Sequence, residues 1–191
     1  MEIPVIVQKR HVHLSKEHKN ELFGDDYEMT PLHDLGHEGQ IVYRETVDVI
    51  GDEGEIEQVR VLGPCRDETQ VELSPTDAFT LGLNVPMRAS GDLSRAAICG
   101  LRGPDGEIER VSAAIVPIRH LHCSDEVAEK LDVKQHDVVD LAPVGREEAT
   151  IDNVLVRVHP SFSLEFHLTT DEAAHFWLET GSAVHIINRH E

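Results

Sequence analysis

The octapeptide Arg10-His11-Val12-His13-Leu14-Ser15-Lys16-Glu17 returns 109 residues later as Arg119-His120-Leu121-His122-Cys123-Ser124-Asp125-Glu126, with five of eight positions identical. Histidines at i and i+2 of a strand project from one face, so each copy can present two imidazoles to a single ion. Zinc accepts such a pair, and affinity order alone does not exclude other divalent metals. A lone His-x-His arises by chance on surface strands. Two of them at equivalent places in an internal repeat point instead to a pair of metal sites.

Each pair needs a further protein ligand. Glu72 in VEL and His167 in EFH stand at comparable points after a Pro-containing loop, and Glu165 is a rival to His167. Three protein ligands leave an open coordination position, which catalysis requires. Arg66, six residues before Glu72, is either a guanidinium clamp for phosphate or an exposed ion-pair partner. The run Arg88-Ala89-Ser90-Gly91-Asp92-Leu93 offers a hydroxyl and a glycine where a turn can close around an anion, or it is a plain connecting turn. The remaining histidines fall outside the repeated motif and are read as surface or structural groups; His159 stands apart because Pro160 follows it.

The elements that must position these groups are legible in outline. Each octapeptide follows an apolar run, IPVIV or AAIVPI, and precedes a helical stretch, EHKNELF or EVAEKLDV, so each copy reads as strand, His pair, Ser cap and short helix. Ser15 and Ser124 are placed to accept from free amides of those helices. A looser echo pairs IEQVRVLGP…VELSPTDAF with IDNVLVRVHP…LEFHLTTDEA, matching Ile56 with Ile151, Val59 with Val154, and Asp77 with Asp171. A third pairs Gly51-Asp52-Glu53-Gly54 with Gly103-Pro104-Asp105-Gly106, each a Gly-closed turn between strand-like runs. The strand spacing is that of small barrels, with helices short and peripheral.

Composition excludes several classes. The net charge is −19, from 36 acidic against 17 basic residues, so the chain lacks the basic face that nucleic acid needs. Only five of the basic residues are Lys. That depletion fits a saline cytoplasm, where salt screens self-repulsion, or a merely acidic solvated surface; melting temperatures in dilute and multimolar KCl separate the two. No run approaches the ~20 apolar residues of a membrane span, and the start has no basic region followed by an apolar one, so a cytoplasmic chain is expected. Cys65, Cys99 and Cys123 form neither a disulfide framework nor a CxxC knuckle, and read as small, partly buried thiols.

Together these residues resemble the PduL-type phosphotransacylases, or phosphate propanoyltransferases. The resemblance runs through IPVIVQKRHVHLS, the segment Glu21 to Leu32, GQIVYRETV, RVLGPCRDETQVELSPTDAF, RASGDL, IRHLH and DNVLVRVHPSFSLEFHLTTDEA. It implies a mainly β fold of two β-barrels capped by short helices and related by a pseudo-repeat. Residues 10–117 would form the central barrel; residues 1–9 with 118–191 would form the second, with the active site where the two domains meet. It also implies two zinc ions per chain, one on His11, His13 and Glu72 and the other on His120, His122 and His167. Arg66, Ser90 and Gly91 would bind phosphate, with Arg66 and Ser90 catalytic.

The reaction implied exchanges a short acyl group, propanoyl or acetyl, between coenzyme A and phosphate, in a homodimer with no nucleic-acid or membrane partner. Two departures stand out: Cys123 where related sequences often carry Met, and RASGDLSRAA in place of the usual RDSGDL-G-S-P run. The chain starts at its first strand without a microcompartment-targeting extension, and free cytoplasmic location is expected. No Ser-His-Asp arrangement is visible, so direct transfer is expected rather than a covalent step on Cys123. A dinuclear zinc hydrolase and a histidine-rich metal buffer are the competing readings.

Overall fold

The alternation that marks a half-buried strand is plain from the first segment, where Ile3 and Val5 are fully buried and Pro4 between them is exposed. The computed structural model describes residues 1–34 and 40–190. In chain order it contains β1 (Ile3–Gln8), β2 (His11–Ser15), α1 (Lys16–Phe23), β3 (Pro31–Asp34), β4 (Ile41–Ile50), β5 (Glu55–Arg66), β6 (Gln70–Glu72), α2 (Pro75–Thr80) and β7 (Met87–Arg88). There follow β8 (Ala97–Arg102), β9 (Glu107–Pro117), β10 (His120–Cys123), α3 (Asp125–Leu131), β11 (Val138–Pro143), β12 (Ile151–Val158), β13 (Glu165–Thr169), α4 (Thr170–Phe176) and β14 (Ala183–His190). The chain divides into two units, Arg10–Pro117 and a discontinuous one of Met1–Lys9 with Ile118–Glu191. No helix among the described residues is long and apolar enough to cross a membrane.

In the unit of residues 10–117, β4, β5, β2, β6, β9 and β8 pair in that order and β8 returns to β4, closing a ring. In the other unit, β11, β12, β10, β13, β1 and β14 pair in order and β14 returns to β11. The sense of pairing matches step for step: the His-bearing strand, β2 or β10, runs parallel to β5 or β12 and antiparallel to β6 or β13. The repeat is therefore two barrels, as its strand spacing suggests, but not two successive halves. The strand equivalent to β9, which ends one unit, is β1, which opens the chain. The short strands β3 and β7 belong to the first unit alone.

Each barrel encloses its own apolar core, Val12, Leu14, Val61, Leu73 and Leu101 in one, and Val5, Leu121, Ile151, Phe166 and Leu168 in the other. The four helices among the described residues are short and start on a side-chain cap. The Ser15 Oγ accepts from the His18 N–H at 3.1 Å and the Ser124 Oγ from the Val127 N–H at 3.4 Å, as their spacing predicts; caps of this kind are worth about 0.5–2 kcal/mol each. Ser74 and Thr169 form capping boxes with Asp77 and Glu172. These boxes correct the sequence alignment, because Glu172, not Asp171, occupies the place of Asp77. Arg10 pairs with Asp77, and Arg119 with Glu172 at 3.1 Å, so the arginine opening each octapeptide anchors the equivalent helix start.

The two Gly-closed turns are hairpins, with the Gly51 N–H donating to the Gly54 carbonyl at 2.8 Å and Gly103 to Gly106 at 2.9 Å. A Cβ on Gly51 would sit 2.1 Å from the Leu81 carbonyl oxygen, and one on Gly103 2.4 Å from that of Leu22. Only glycine lets each turn press against a helix end, where the Glu53 and Asp105 amides satisfy the Leu81 and Leu22 carbonyls at 3.1 Å.

In the discontinuous unit, Asp140 is buried and accepts from His190 Nε2 at 2.9 Å, Asn188 Nδ2 at 3.2 Å and the Asn153 N–H at 3.1 Å. The His190 hydrogen bond, with those from Asn188 and Asn153, holds its carboxyl below the usual carboxylate range despite burial. A depressed folded-state pKa means stability that is present above the ordinary value of about 4 and is lost as pH falls through the folded value. Asp140→Asn is expected to flatten this acid limb, read as denaturation midpoints from pH 6 down to pH 2. An unchanged slope would exclude the linkage.

Candidate active site

On β10, Leu121 and Cys123 enter the barrel core, so His120 and His122 share the opposite face. On the antiparallel neighbour β13, His167 stands in register with His120, and Glu165 with His122. The three imidazoles are mutually close, with centroids 4.7 Å apart for His120–His122, 4.6 Å for His122–His167 and 5.0 Å for His120–His167. One ring nitrogen from each lies within 4.8 Å of the others, and all three residues are buried. Among the described residues this is the only group of three or more potential ligands that converges in this way.

The hydrogen bonds around this trio fix which nitrogens are available. A carbonyl only accepts, so the 2.8 Å contact from His120 Nδ1 to the Ile118 oxygen puts the proton on Nδ1 and makes Nε2 the atom that could ligate an ion. Likewise Glu165 Oε2, 3.0 Å from His167 Nε2, accepts a hydrogen bond from that nitrogen, which makes Nδ1 the atom that could ligate an ion. Glu165 is thus placed as an orienting partner of His167. An imidazole held through its second nitrogen by a carbonyl or carboxylate is the usual support of a metal ligand, and three neutral imidazoles suit zinc or a similar divalent ion.

The first His pair is built on the same register. His11 on β2 faces Glu72 on the antiparallel β6, and His13 faces Gln70. His11 Nε2 lies 3.4 Å from Glu72 Oε2, close to the roughly 3.4 Å that separates two ligands bound tetrahedrally at about 2.0–2.1 Å. The rings of His11 and His13 are 5.1 Å apart. His13 is directed elsewhere: an Arg66 guanidinium nitrogen lies 2.9 Å from its Nε2. Arginine can only donate, so His13 Nε2 accepts. The His13 pKa is lowered to about 2, first by burial and then by the charges of His11 and Arg66, so the ring stays neutral and keeps a lone pair. A cationic nitrogen already occupies the direction in which that lone pair would bind an ion. This nest therefore offers a donor set that fits a divalent ion, but its three donors do not converge as those of the other trio do.

Arg66 also reaches Ser90, its other terminal nitrogen lying 3.5 Å from the hydroxyl. Gln70, which the sequence reading overlooked, joins these groups. Fully buried, it donates to Glu72 Oε1 at 2.5 Å and to Ser90 Oγ at 3.0 Å, and its carbonyl accepts from the Gly91 N–H at 2.9 Å. Its signal was present, since it lies two residues before Glu72 and hence on the same strand face. The second oversight is Phe162. Its ring stacks on His122 with centroids 3.9 Å apart and planes 19° from parallel. Phe162 follows Pro160 by two residues as Arg66 follows Pro64, so the loosely repeated segment carries a guanidinium to one second histidine and a phenyl ring to the other.

A sequence model of the family described as phosphate propanoyltransferase matches residues 4–179. The chain belongs to the phosphate propanoyltransferase family. It is 46% identical over 186 residues to a phosphate propanoyltransferase of Thermotoga maritima, covering 97% of this chain and 89% of that protein. It is 40% identical to one of Clostridioides difficile, covering 98% and 90%, and 42% identical to one of Priestia megaterium, covering 94% and 82%. As a phosphate propanoyltransferase family member it is an acyltransferase, and its reaction type is acyl and phosphate exchange.

Other expected groups are less central in this family member. Arg88 closes its own turn, donating to the Ser94 and Met87 carbonyls at 2.9 Å. Cys99 and Cys123 are buried, and burial raises both thiols, that of Cys99 to about 12. Neither is poised as a thiolate nucleophile. Cys65, next to last in β5, is exposed, contrary to the reading of partial burial. Of the histidines outside the repeat, His18 is hydrogen-bonded to Thr69 at 2.8 Å, His159 to Ser161 at 2.8 Å and His190 to Asp140; His37 lies outside the described residues.

Proposed function

We propose that the chain transfers a short acyl group, propanoyl or acetyl, between coenzyme A and inorganic phosphate, using two zinc ions per chain held by His120, His122 and His167 and by His11, His13 and Glu72. The observation that carries this reading is the matched register of the two His pairs, each facing a third potential ligand on the antiparallel neighbour, with Arg66 at only one of them.

In the acyl-phosphate direction, a phosphate oxygen forms a bond to the thioester carbonyl carbon, the carbon–sulfur bond breaks, and coenzyme A leaves as thiolate. Phosphate is already anionic near neutral pH, so no protein base is needed to generate the nucleophile. The difficulty is the charge: a dianion and a departing thiolate must be held in a chain of net charge −19. Arg66 supplies a fork of donors for phosphate, and Ser90 and the Gly91 turn, pinned through Gln70, line the same place. The two donor sets would hold zinc, which would supply Lewis-acid positive charge to offset the negative charge of the reactants. Ile118 and Glu165 hold the His120 and His167 rings in the orientation and tautomer that such an ion requires.

Metal analysis of purified protein, combined with thiol release from acetyl-, propanoyl- and butanoyl-CoA, tests the proposal. Two metal ions per chain and thiol release that requires phosphate are expected, with acyl phosphate as co-product. Equal release without phosphate would identify a hydrolase and defeat this reading.

A further inference from the structure

The two nests differ most sharply at one equivalent position. Two residues after a proline in each case, Arg66 at the end of β5 contacts the second histidine of the first pair and Phe162 that of the second. The Phe162 side of the pair is firmly built. The Phe162 N–H donates to the His159 carbonyl at 2.9 Å, closing a turn with Pro160 and Ser161 at its centre. The His159 N–H in turn donates to the Cys123 carbonyl at 3.1 Å, tying that turn to the end of β10. The Ser161 N–H donates to His159 Nδ1 at 3.2 Å. Phe162 is half-buried, with one face against His122.

An imidazole lone pair lies in the plane of its ring. With the phenyl and His122 planes 19° apart and their centroids 3.9 Å apart, a group held at His122 extends alongside the phenyl ring, about one van der Waals layer away. The reaction brings two dissimilar partners, a small dianion and an acyl chain on sulfur. The guanidinium suits the dianion. A phenyl wall offers an anion no donor and strips it of water, whereas it packs against an alkyl chain without penalty.

We propose that Phe162 is a specificity-determining residue, forming the wall against which the acyl chain lies and limiting its length. The inference rests on the acyl-transfer reading above and adds to it the residue that selects the acyl substrate. The ring limits chain length by occupying the volume that further methylenes would need.

The test uses Phe162→Ala, Phe162→Leu and Phe162→Trp with two readouts. In the thiol-release assay, Phe162→Ala is expected to raise the ratio of kcat/KM for butanoyl-CoA over acetyl-CoA by about tenfold or more, within the ~10–200-fold that a methylene commonly commands in an apolar pocket. Phe162→Leu should fall between Ala and wild type, and Phe162→Trp should lower the ratio. By calorimetry, S-ethyl-, S-propyl- and S-butyl-CoA thioethers, which cannot transfer, should show the same reordering of affinity, with metal content unchanged.

Wild-type ratios and thioether preferences in both the Ala and Leu variants would overturn the assignment. The calorimetric arm needs no turnover. A chain that binds thioethers with Phe162-dependent preference but releases no thiol defeats the acyl-transfer reading and leaves this assignment standing; a chain that transfers but ignores Phe162 does the reverse.

Discussion

On the proposed two-ion reading, His167→Ala is expected to remove one metal ion per chain and to lower acyl transfer by more than the ~10–100-fold that loss of a metal site's outer partner costs. The reasoning is geometric. Three ring nitrogens lie within 4.8 Å of one another, and His120 and His167 each have their second nitrogen engaged, by Ile118 and Glu165. Removing His167 leaves two imidazoles, too few to hold an ion against water, and leaves Glu165 without the ring that it orients. Folding should survive, because the neighbouring core residues Phe166 and Leu168 point to the other face of β13. Metal stoichiometry decides the matter, together with melting temperature with and without chelator. An ion that binds only the folded state raises wild-type stability by mass action, so chelation should lower the wild-type melting temperature more than that of the variant. Full metal content in His167→Ala would remove this trio from consideration.

The barrels and the paired histidines were legible for different reasons. His11, His13, His120 and His122 stand out because i and i+2 on a strand share a face and because a repeated octapeptide is improbable by chance. Short strands bounded by Gly turns, together with the family resemblance, indicated barrels, and the structure has two. The placing of residues 1–9 with residues 118–191 came from the family resemblance and not from the residue pattern. β1 and β9 are equivalent by pairing, each parallel to the strand that bears the third potential ligand, but IPVIVQ and EIERVSAAIVP share only apolar character. Apolar alternation specifies a buried strand face, not which barrel the strand completes.

The third potential ligands were legible through position more than through chemistry. Glu72 and His167 differ in type, and only the strand register, His11 opposite Glu72 and His120 opposite His167, makes them equivalent. The contacts between neighbours were hidden because they depend on tertiary placement. Arg66 reaches His13 from the end of β5, which pairs with β2, and Phe162 reaches His122 from the loop before β13, which is tied to the end of β10. Gln70 was overlooked because an amide two residues from a carboxylate on either side reads as a solvent-facing group, whereas its burial obliges every polar atom to find a partner, here in Glu72, Ser90 and Gly91.

Arg66→Ala is expected to lower kcat/KM for phosphate by about 100–1,000-fold, the scale on which removing one preorganised donor to a developing charge acts. The KM for acyl-CoA should change far less, because the guanidinium is assigned to the phosphate and not to the acyl chain. Arg66→Lys keeps the charge but loses the planar fork, so it should recover only part of the loss. The contact with His13 supplies a second readout. The guanidinium nitrogen lies 2.9 Å from His13 Nε2 and competes for the lone pair that a metal would use. Arg66→Ala should therefore leave metal affinity at His11, His13 and Glu72 unchanged or raised while phosphate turnover collapses. If Arg66 served only to support the nest, metal content and turnover would fall together, and KM for phosphate and for acyl-CoA would suffer alike. Saturation curves in both substrates, with metal measured on the same samples, separate these outcomes.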